Sequence, residues 1–368
     1  MELEACDIIV IGAGIAGATA AAHLAPRHRV VLLEAEESAG FHTTGRSAAI
    51  WIRHYGSPDA RILTAASRGF FDAPPPGFGA LIHARDVVHL APPEKLAALE
   101  AMLAEAPEMR RLDLATLRAR VPALRPDYAV AAAMEPDCFD MDVHALHQGF
   151  LRQVTQHGGR LALRQRAARI WRAGGRWHAE ALGGTVFAAP LLVNAAGAWG
   201  DEVAALAGLP RIGLQPKRRT ACIIDPGAFD CTDWPMLGDV GHSWYVRPEA
   251  RRKLMVSPAD ETDSAPLDAQ PDELDVAIGI DRMQQALDIP VTRVEHKWAG
   301  LRTFTPDRGL AIGAGVEPGF FWMVGQGGYG IQTAPAAGRL LAALIEGRVP
   351  EADVTPAIPL CDPRRFSK

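Results

Sequence analysis

The chain has 368 residues, of which 48% are apolar and 22% charged, and its formal net charge is −5. This composition is typical of a globular protein whose length allows two domains or one large α/β body. The negative charge and the lack of a basic run argue against nucleic-acid binding. Five scattered cysteines without a C-x-x-C pair indicate reduced thiols, and the acidic start MELEAC is unlike a signal peptide. We therefore expect a cytoplasmic protein without a membrane span.

The first elements of the chain predict a strand, a helix and a second strand. Residues 7–11 and 30–33 are short apolar runs, and the alanine-rich residues 18–24 between them favour a helix. A turn with the spacing G-x-G-x-x-G joins the first strand to this helix. In a βαβ nucleotide unit, such glycines allow a sharp turn, a close approach to a diphosphate, and tight helix packing. The helix N-terminus would then offer its free N–H groups to the anion.

An acid follows the second strand at the position that such a unit requires. Glu34 comes 22 residues after Gly12, near the spacing of about 20 expected for a carboxylate that accepts from ribose hydroxyls. Because an acid there would repel a 2′-phosphate, NADP is disfavoured. For the uncharged residues 8–25, a membrane anchor or an ordinary buried helix is the alternative. Three glycines, few leucines and an immediately following strand argue against the anchor.

The predicted secondary structure changes in type along the rest of the chain. Apolar spacing predicts helices over residues 92–111, 113–120, 142–156, 271–287 and 334–345. Apolar runs predict strands over residues 185–194 and 319–324. Between residues 214 and 304, alternating segments that carry aromatic residues predict an antiparallel sheet around the fourth of these helices.

Three glycine turns punctuate the chain, GAGIAG at 12–17, NAAGAWG at 194–200 and GQGGYGIQ at 325–332, with TTGRS at 43–47 as a fourth element. Taken singly, each of these segments is also consistent with a turn that has only a structural role. A simple nicotinamide enzyme needs one such turn, whereas a flavin dinucleotide needs close backbone approach at several points along its length. Together they favour FAD over a bare NAD site.

We predict an α/β fold in which an FAD-binding Rossmann-like domain carries an inserted substrate domain, built on a mixed, largely antiparallel sheet. The FAD-binding domain is assigned residues 1–80, 145–212 and 305–368. The substrate domain is assigned residues 81–144 and 213–304. The chain termini thus rejoin one nucleotide domain around the insertion.

The motifs GAGIAG, TTGRSAA, VNAAGAW, WAGLRTFTPDRGLAIG and GQGGYGIQT together resemble the D-amino-acid oxidase and glycine oxidase superfamily of flavoproteins. Within it, the sequence looks closest to the bacterial D-arginine dehydrogenases, nearly end to end. The resemblance implies non-covalent FAD. His144 and His147 are spaced by one helical turn but lack a nearby third ligand, so we expect no metal. The residues that the resemblance implies for cofactor binding are Gly12, Gly14, Ile15, Ala16, Gly17, Glu34, Thr43, Thr44, Gly45, Arg46, Ser47, Ala168, Ala196, Gly197, Arg302, Gly327, Gly328, Tyr329, Gly330, Ile331 and Gln332.

Four residues are candidates for the chemistry on an amino acid, whose carboxylate must be held so that its Cα–H faces flavin N5. Planar guanidinium groups are the best carboxylate anchors, and Arg219 and Arg302 have apolar or aromatic neighbours. The resemblance implies that both bind the carboxylate; a salt bridge between strands is the alternative. It also implies that Tyr55 and Tyr245 border the substrate, where the alternative is a core tyrosine.

The remaining pocket residues implied by the resemblance are Ile50, Ile52, Asp86, Met236, Gly328 and Gln332. The last two lie in the final glycine turn, where a backbone carbonyl would receive the substrate amine. The arginine enzymes carry His and Thr at the two isoleucine positions, and their guanidinium-binding Glu aligns best with Asp86. Because each unpaired buried polar group costs about 1–3 kcal/mol, we expect a preference that has drifted from arginine toward less polar side chains.

The sequence therefore predicts FAD-dependent oxidative deamination of a D-amino acid by hydride transfer from Cα to flavin N5. The imino acid then hydrolyses to a 2-oxo acid and ammonia. A neutral substrate amine makes a general base unnecessary. The electron acceptor is O2 or another molecule, and the resemblance favours a dehydrogenase. Two alternatives stay open: oxidation of secondary or N-methyl amino acids such as proline, sarcosine or glycine, and an FAD-binding subunit without turnover of its own.

Overall fold

The structure is a computed structural model that describes residues 3–366. Its α-helices are α1 (Ile15–Leu24), α2 (Pro58–Asp72), α3 (Leu96–Glu105), α4 (Leu114–Arg120), α5 (Val143–Gln156), α6 (Gly200–Leu206), α7 (Glu273–Ala286), α8 (Gly330–Ile345) and α9 (Ile358–Cys361). The strands of its first half are β1 (Leu3–Ala5), β2 (Ile8–Ile11), β3 (Val30–Leu33), β4 (Ile50–Trp51), β5 (Ile82–Ala84), β6 (Val87–Ala91), β7 (Arg110–Leu112), β8 (Ala131–Glu135), β9 (Phe139–Met141), β10 (Arg160–Ala162) and β11 (Ala167–Ala173). Those of its second half are β12 (Arg176–Ala181), β13 (Val186–Ala189), β14 (Leu191–Asn194), β15 (Gln215–Ile224), β16 (Met236–Asp239), β17 (Tyr245–Glu249), β18 (Lys253–Ser257), β19 (Thr262–Asp263), β20 (Val294–Phe304), β21 (Ala311–Ala314) and β22 (Phe320–Val324).

A six-stranded sheet carries the glycine turns, in the strand order β10-β3-β2-β14-β22-β21. Its strands are parallel except β21, which runs antiparallel to β22. Strand β2 is buried on both faces, which explains its unbroken apolar sequence. Ile8 and Val10 pack in a core with α1, α5 and α8. Ile9 and Ile11 pack on the other side with Phe187, from a second sheet in the order β1-β13-β12-β11.

A nine-stranded sheet follows the order β19-β15-β18-β17-β16-β6-β8-β7, and β20 pairs with β15 along its length. Side chains alternate between its two faces. One face is apolar, and Val88, Leu237 and Val246 pack there with residues of α7. The opposite face, which we call the cavity face, carries Arg219 and Tyr245. A small sheet of order β4-β9-β5 completes the fold.

The structure differs from the sequence prediction at two prolines. The helix predicted over 92–111 ends at Glu105, just before Pro107, and residues 110–112 form β7 instead. The strand predicted over 185–194 is divided by Pro190 into β13 and β14, which belong to different sheets. Proline has no backbone N–H. It therefore interrupts the helical hydrogen bonds in the first case and the sheet hydrogen bonds in the second.

Membrane and thiol features are simple in this fold. None of the helices within residues 3–366 is long and apolar enough to cross a bilayer. All five cysteines are buried and unpaired. Burial raises the pKa of the Cys6 thiol to about 11, so this group stays protonated at neutral pH.

Helix α5 depends on a glycine for its packing. A Cβ added at Gly149 would lie 2.1 Å from Cδ1 of Phe78, whose ring is packed against Phe70 and Phe150. We expect Gly149→Ala to lower the free energy of unfolding by about 1–3 kcal/mol through overpacking, measured by urea denaturation. The control is Gly69→Ala in α2, where an added Cβ meets nothing within 4 Å. An equal loss in both variants would contradict this account.

Candidate active site

A cavity of about 980 Å³ lies between the six-stranded sheet and the cavity face of the nine-stranded sheet. At the first sheet its wall includes residues at the carboxyl ends of β2, β3 and β14, among them Gly12, Glu34 and Ala196. Ligands of open α/β sheets bind beyond the carboxyl ends of the strands. The volume is at the upper end of the range of about 300–1,000 Å³ for ligand sites, so a large ligand fits.

The end of the cavity at α1 is shaped to receive a ribose and a phosphate. Gly12 has φ +98°, and a Cβ there would lie 2.6 Å from the carbonyl oxygen of Ala195. Helix α1 begins at Ile15, and its first turn lines the cavity. This turn carries no acidic side chain, so the positive end of the helix dipole is open to an anion. The Glu34 carboxylate accepts from the backbone N–H of Ala13 at 3.0 Å and of Glu36 at 3.1 Å. These bonds fix its orientation at the cavity.

Three buried polar atoms along this wall have no hydrogen-bond partner among the described residues. They are His42 Nδ1, Gln165 Oε1 and Gln326 Nε2, and each of these residues lines the cavity. Buried polar groups are paired in nearly all native proteins. A bound molecule with donors and acceptors along its length would satisfy them, as a dinucleotide does.

Most residues predicted to bind the cofactor lie in the cavity wall. Those in the wall are Gly12, Gly14, Ile15, Ala16, Glu34, Thr43, Thr44, Arg46, Ser47, Ala196, Gly197, Arg302, Gly327, Gly328, Gly330, Ile331 and Gln332. Thr44 accepts from the N–H of Ile15 at 2.9 Å and so joins the TTGRS segment to α1. These segments, which are distant in sequence, therefore form one surface.

Four predicted cofactor residues lie behind the wall and support it. A Cβ at Gly17 would lie 1.7 Å from the carbonyl oxygen of Gly12, so this glycine allows the helix to pack against the turn. Gly45 packs in the same way against the carbonyl of Gly40. Tyr329 is buried and donates its hydroxyl to the carbonyl of Arg308. Ala168 lies at a bulge of β11, next to a wall residue.

The two predicted arginines lie together on the cavity face, at a place that we call the arginine end. Strands β15 and β20 pair Arg219 with Gly300 and Lys217 with Arg302. The two arginines are therefore offset by two residues along the ladder, and both side chains lie on the cavity face. Arg302 donates from Nη1 to the Tyr55 hydroxyl at 2.9 Å. Arg219 donates from Nε to the carbonyl of Asp260 at 2.8 Å. Neither guanidinium is saturated by these bonds, because each carries five donors.

Positive charge therefore accumulates at this end. Burial and the charge of Arg302 both lower the pKa of Arg219. Burial alone would raise the pKa of the Tyr245 phenol, but the two arginines lower it on balance. Glu261 approaches Arg219 at 3.4 Å, yet both of its oxygens are held by Arg308 at 3.0 Å. An anion placed between the two guanidiniums would relieve their repulsion.

The final glycine turn shapes this end, and the side-chain amide of its Gln332 is already hydrogen-bonded. A Cβ at Gly328 would lie 2.8 Å from Nη1 of Arg302, so only glycine leaves room for the Arg302–Tyr55 contact. Gln332 lines the cavity, but its amide bonds the backbone of Ile52 at 3.1 and 3.2 Å and the hydroxyl of Thr64 at 2.8 Å. Its side chain therefore holds the β4–α2 loop.

The predicted pocket residues divide into two groups. Ile50, Ile52 and Met236 lie in the cavity wall. Asp86 does not, because its carboxylate turns outward into an ion pair with Arg120. The structure therefore does not bring Asp86 to the arginine pair.

Four other polar residues line this end and were not predicted as site residues: His54, His89, Glu135 and His242. Glu135 Oε1 contacts His54 Nδ1 at 3.0 Å, and the rings of His89 and His242 lie edge to face at 5.9 Å. Burial, reinforced by the charge of His89, lowers the pKa of His242. Strand register reveals His89 and Glu135, since Gly238 pairs with both His89 and Tyr245, and β6 pairs with β8. His54 and His242 lie on loops, whose positions the sequence pattern does not give.

A sequence profile described as DAO, FAD dependent oxidoreductase, matches residues 7–344. The chain belongs to this family. FAD is therefore the cofactor, which confirms the prediction from the glycine turns, and the three unpaired wall atoms fit it. The chain is an FAD-dependent oxidoreductase, and its predicted resemblance to this superfamily is confirmed. Its particular similarity to D-arginine dehydrogenases stays a prediction.

The relatives share the fold more than the sequence. FAD-dependent oxidoreductase domain-containing protein 1 of Xenopus laevis is 28% identical over 180 residues, covering 42% of this chain and 34% of that relative. Glycine oxidase from Geobacillus kaustophilus has a TM-score of 0.83 at 20% identity, covering 96% of this chain and 98% of that one. L-proline dehydrogenase from P. horikoshii has a TM-score of 0.83 at 20% identity, covering 100% and 99%. These structures confirm the predicted fold class.

The cofactor end of the cavity yields a test of Glu34. Glu34→Gln loses the charge and replaces one of two acceptor oxygens by a donor that faces a backbone N–H. Since a hydrogen bond to a charged group contributes about 1.5–3 kcal/mol, we expect the Kd for FAD to rise roughly 10- to 100-fold. The measurement is fluorescence titration of the apoprotein. Glu37→Gln is the control, because Glu37 is exposed and pairs with Arg164; a similar rise there would refute the role of Glu34.

Proposed function

We propose that this family member catalyses the oxidative deamination of a D-amino acid. Bound FAD would supply the acceptor for a hydride from the substrate α-carbon, leaving an imino acid that hydrolyses to a 2-oxo acid and ammonia. The observation that carries the proposal is the position of Arg219 and Arg302 side by side on the cavity face, in the same cavity as the nucleotide turn. Such a pair suits a carboxylate.

The two arginines would bind the substrate carboxylate and thereby orient its α-carbon. Arg302 keeps most of its donors free, since its described partner is the Tyr55 hydroxyl. Arg219 is aimed by the carbonyl of Asp260. A two-point grip of this kind fixes rotation as well as position, which is the main contribution expected where no general base is needed.

The two tyrosines would close the site against water. Tyr245 is adjacent to both guanidiniums, which lower its pKa against the effect of burial. Its hydroxyl would share the carboxylate with them. Tyr55 comes from the β4–α2 loop and reaches Arg302 across the cavity. Exclusion of water strengthens each of these charged contacts and protects the imino acid until release.

Choice of the D-isomer is supported by the motif resemblance, and the alternatives are supported by other relatives. Glycine and L-proline are named as substrates of enzymes that share this fold. Both carry the carboxylate that the arginine pair would bind, so the grip alone does not select among them. We also propose that the FAD-binding domain, residues 1–80, 145–212 and 305–368, is built around the six-stranded sheet. The substrate domain, residues 81–144 and 213–304, would be built around the nine-stranded sheet.

Anaerobic titration of the purified holoprotein separates these functions. We expect D-amino acids to bleach the flavin absorbance near 450 nm, and L-isomers to leave it unchanged. Bleaching by L-proline, sarcosine or glycine alone would replace the proposal by the secondary-amine alternative. No bleaching with any amino acid would favour a flavin-binding subunit without turnover.

The carboxylate grip is tested by Arg302→Lys, which keeps the charge and removes the planar fork. We expect kcat/KM for the preferred amino acid to fall roughly 10- to 100-fold, the equivalent of one charged hydrogen bond. The control is Arg218→Lys. Arg218 neighbours Arg219 on the opposite face, where it pairs with Asp275 at 2.6 Å, and its effect should stay within about twofold. Equal losses in both variants would argue against the grip.

A further inference from the structure

One carboxylate of the chain already lies at the arginine end, close to solvent. Glu261 Oε1 lies 3.4 Å from Nη2 of Arg219, and Arg308 donates from Nη2 to both oxygens of Glu261 at 3.0 Å. All three side chains line the cavity. The side chain of Arg219 is 13% exposed, whereas that of Arg308 is 50% exposed. Glu261 therefore connects the buried arginine with a half-exposed guanidinium at the edge of the cavity.

The contact between Glu261 and Arg219 is the weaker of these two. Its length exceeds the range of about 2.7–2.9 Å that is usual for charged N–H···O bonds, whereas Arg308 contacts both carboxylate oxygens. Arg219 is also held independently, because its Nε donates to the carbonyl of Asp260 at 2.8 Å. The Asp260 carboxylate in turn accepts from the backbone N–H of Thr220 at 2.6 Å and from its hydroxyl at 3.0 Å. Arg219 can therefore lose Glu261 and keep its position.

Glu261 brings a negative charge to the place where the substrate carboxylate is expected. Burial alone would raise the pKa of the Glu261 carboxyl, but Arg308, Arg219 and Arg302 lower it on balance, so the group is ionised at neutral pH. A substrate carboxylate would enter beside this charge and would need a donor that Glu261 contacts. Like charges in a partly buried site repel each other more strongly than in water. Glu261 thus opposes carboxylate binding at Arg219.

We propose that Glu261 is a built-in competitor for the substrate carboxylate. It shares Arg219 until a carboxylate binds there and takes over the Nη2 donor, while Glu261 stays with Arg308. This inference rests on the proposed function, because it assumes that the arginine pair holds the substrate carboxylate. The exchange only redistributes hydrogen bonds. Its consequence is a moderated affinity at the arginine end, which favours release of a 2-oxo acid product that carries the same carboxylate.

The test measures the Kd of the holoprotein for acetate, a carboxylate with neither an amine nor a side chain. The readout is the change in the flavin absorbance spectrum at constant ionic strength. Glu261→Gln removes the charge and keeps an acceptor oxygen for Arg308. We expect it to lower the Kd for acetate roughly 3- to 10-fold, since a repulsive charge is lost and a donor of Arg219 is released.

The control is Asp263→Asn, which removes a carboxylate from the same segment of chain, where it pairs with Lys217 instead of Arg219. Its Kd for acetate should stay within about twofold of the wild type, as is usual for an exposed ion pair. An equal decrease in both variants would reduce the effect to net charge and overturn the assignment.

Arg308→Gln is a second variant and should act in the opposite direction. Without Arg308, Glu261 is left to Arg219 alone, so the Kd for acetate should rise roughly 3- to 10-fold. In the Glu261→Gln background, the same substitution should change the Kd by less than about twofold, because Arg308 acts on the ligand mainly through Glu261. If Glu261 and Arg308 only supported the fold, both single variants would bind acetate more weakly.

Two results would overturn the inference while sparing the proposed function: a Kd for acetate that is unchanged or higher in Glu261→Gln, or an effect of Arg308→Gln that is equal in both backgrounds. If Glu261→Gln loses its flavin, Arg308→Gln decides alone, since an unchanged or lower Kd there contradicts the exchange. Absence of any acetate response in the wild type, together with failure of every D-amino acid to bleach its flavin, would instead refute the proposed function itself.

Discussion

The pairing of β15 with β20 is the constraint on which the cavity depends, because it places Arg219 and Arg302 on one face. Burial and the charge of Arg302 lower the pKa of Arg219. Burial alone would also lower the pKa of Arg302, but Tyr55, Tyr245 and Glu261 raise it on balance. The fold holds them there through the β15–β20 ladder and offers them only partial compensation, since Glu261 is mainly engaged by Arg308. The cavity face therefore presents two guanidiniums with unfilled donor positions, as the proposed carboxylate binding requires.

The apolar core explains how the sheet can carry such a face. Alternation places Val88, Leu237 and Val246 in a packed core with α7, on the side opposite the arginines. Burial on that side stabilises the sheet independently of the site. The cavity face is then free to hold charges, and the glycines Gly238 and Gly300 leave parts of it without side chains. The six-stranded sheet supplies the nucleotide end differently: its central strands β2 and β3 are buried on both faces, and the cavity lies beyond their carboxyl ends.

Features encoded locally could be predicted from the sequence, and features that depend on long-range register could not. The nucleotide turn and Glu34 lie within one βαβ unit, so their spacing alone predicts their proximity. Glu135 and His89 share the cavity face with Tyr245 only because β8, β6, β16 and β17 pair in one register, across more than a hundred residues of sequence. Asp86 was predicted for the pocket because it aligns with the guanidinium-binding Glu of the arginine enzymes. A resemblance of this kind does not show which way a side chain turns. Here an ion pair with Arg120 turns it outward.

The β4–α2 loop is fastened to the cavity wall at three points. Its Ile52 backbone is bound by Gln332, His54 is bound by Glu135, and Tyr55 is bound by Arg302. The loop is thus fastened to α8, to β8 and to β20 within four residues. Since His54 and Tyr55 are adjacent, a change at either contact acts on the same short segment of chain. The proposed carboxylate site would therefore be coupled to the rest of the cavity through this loop, because a ligand that displaces Tyr55 from Arg302 would also act on the position of His54.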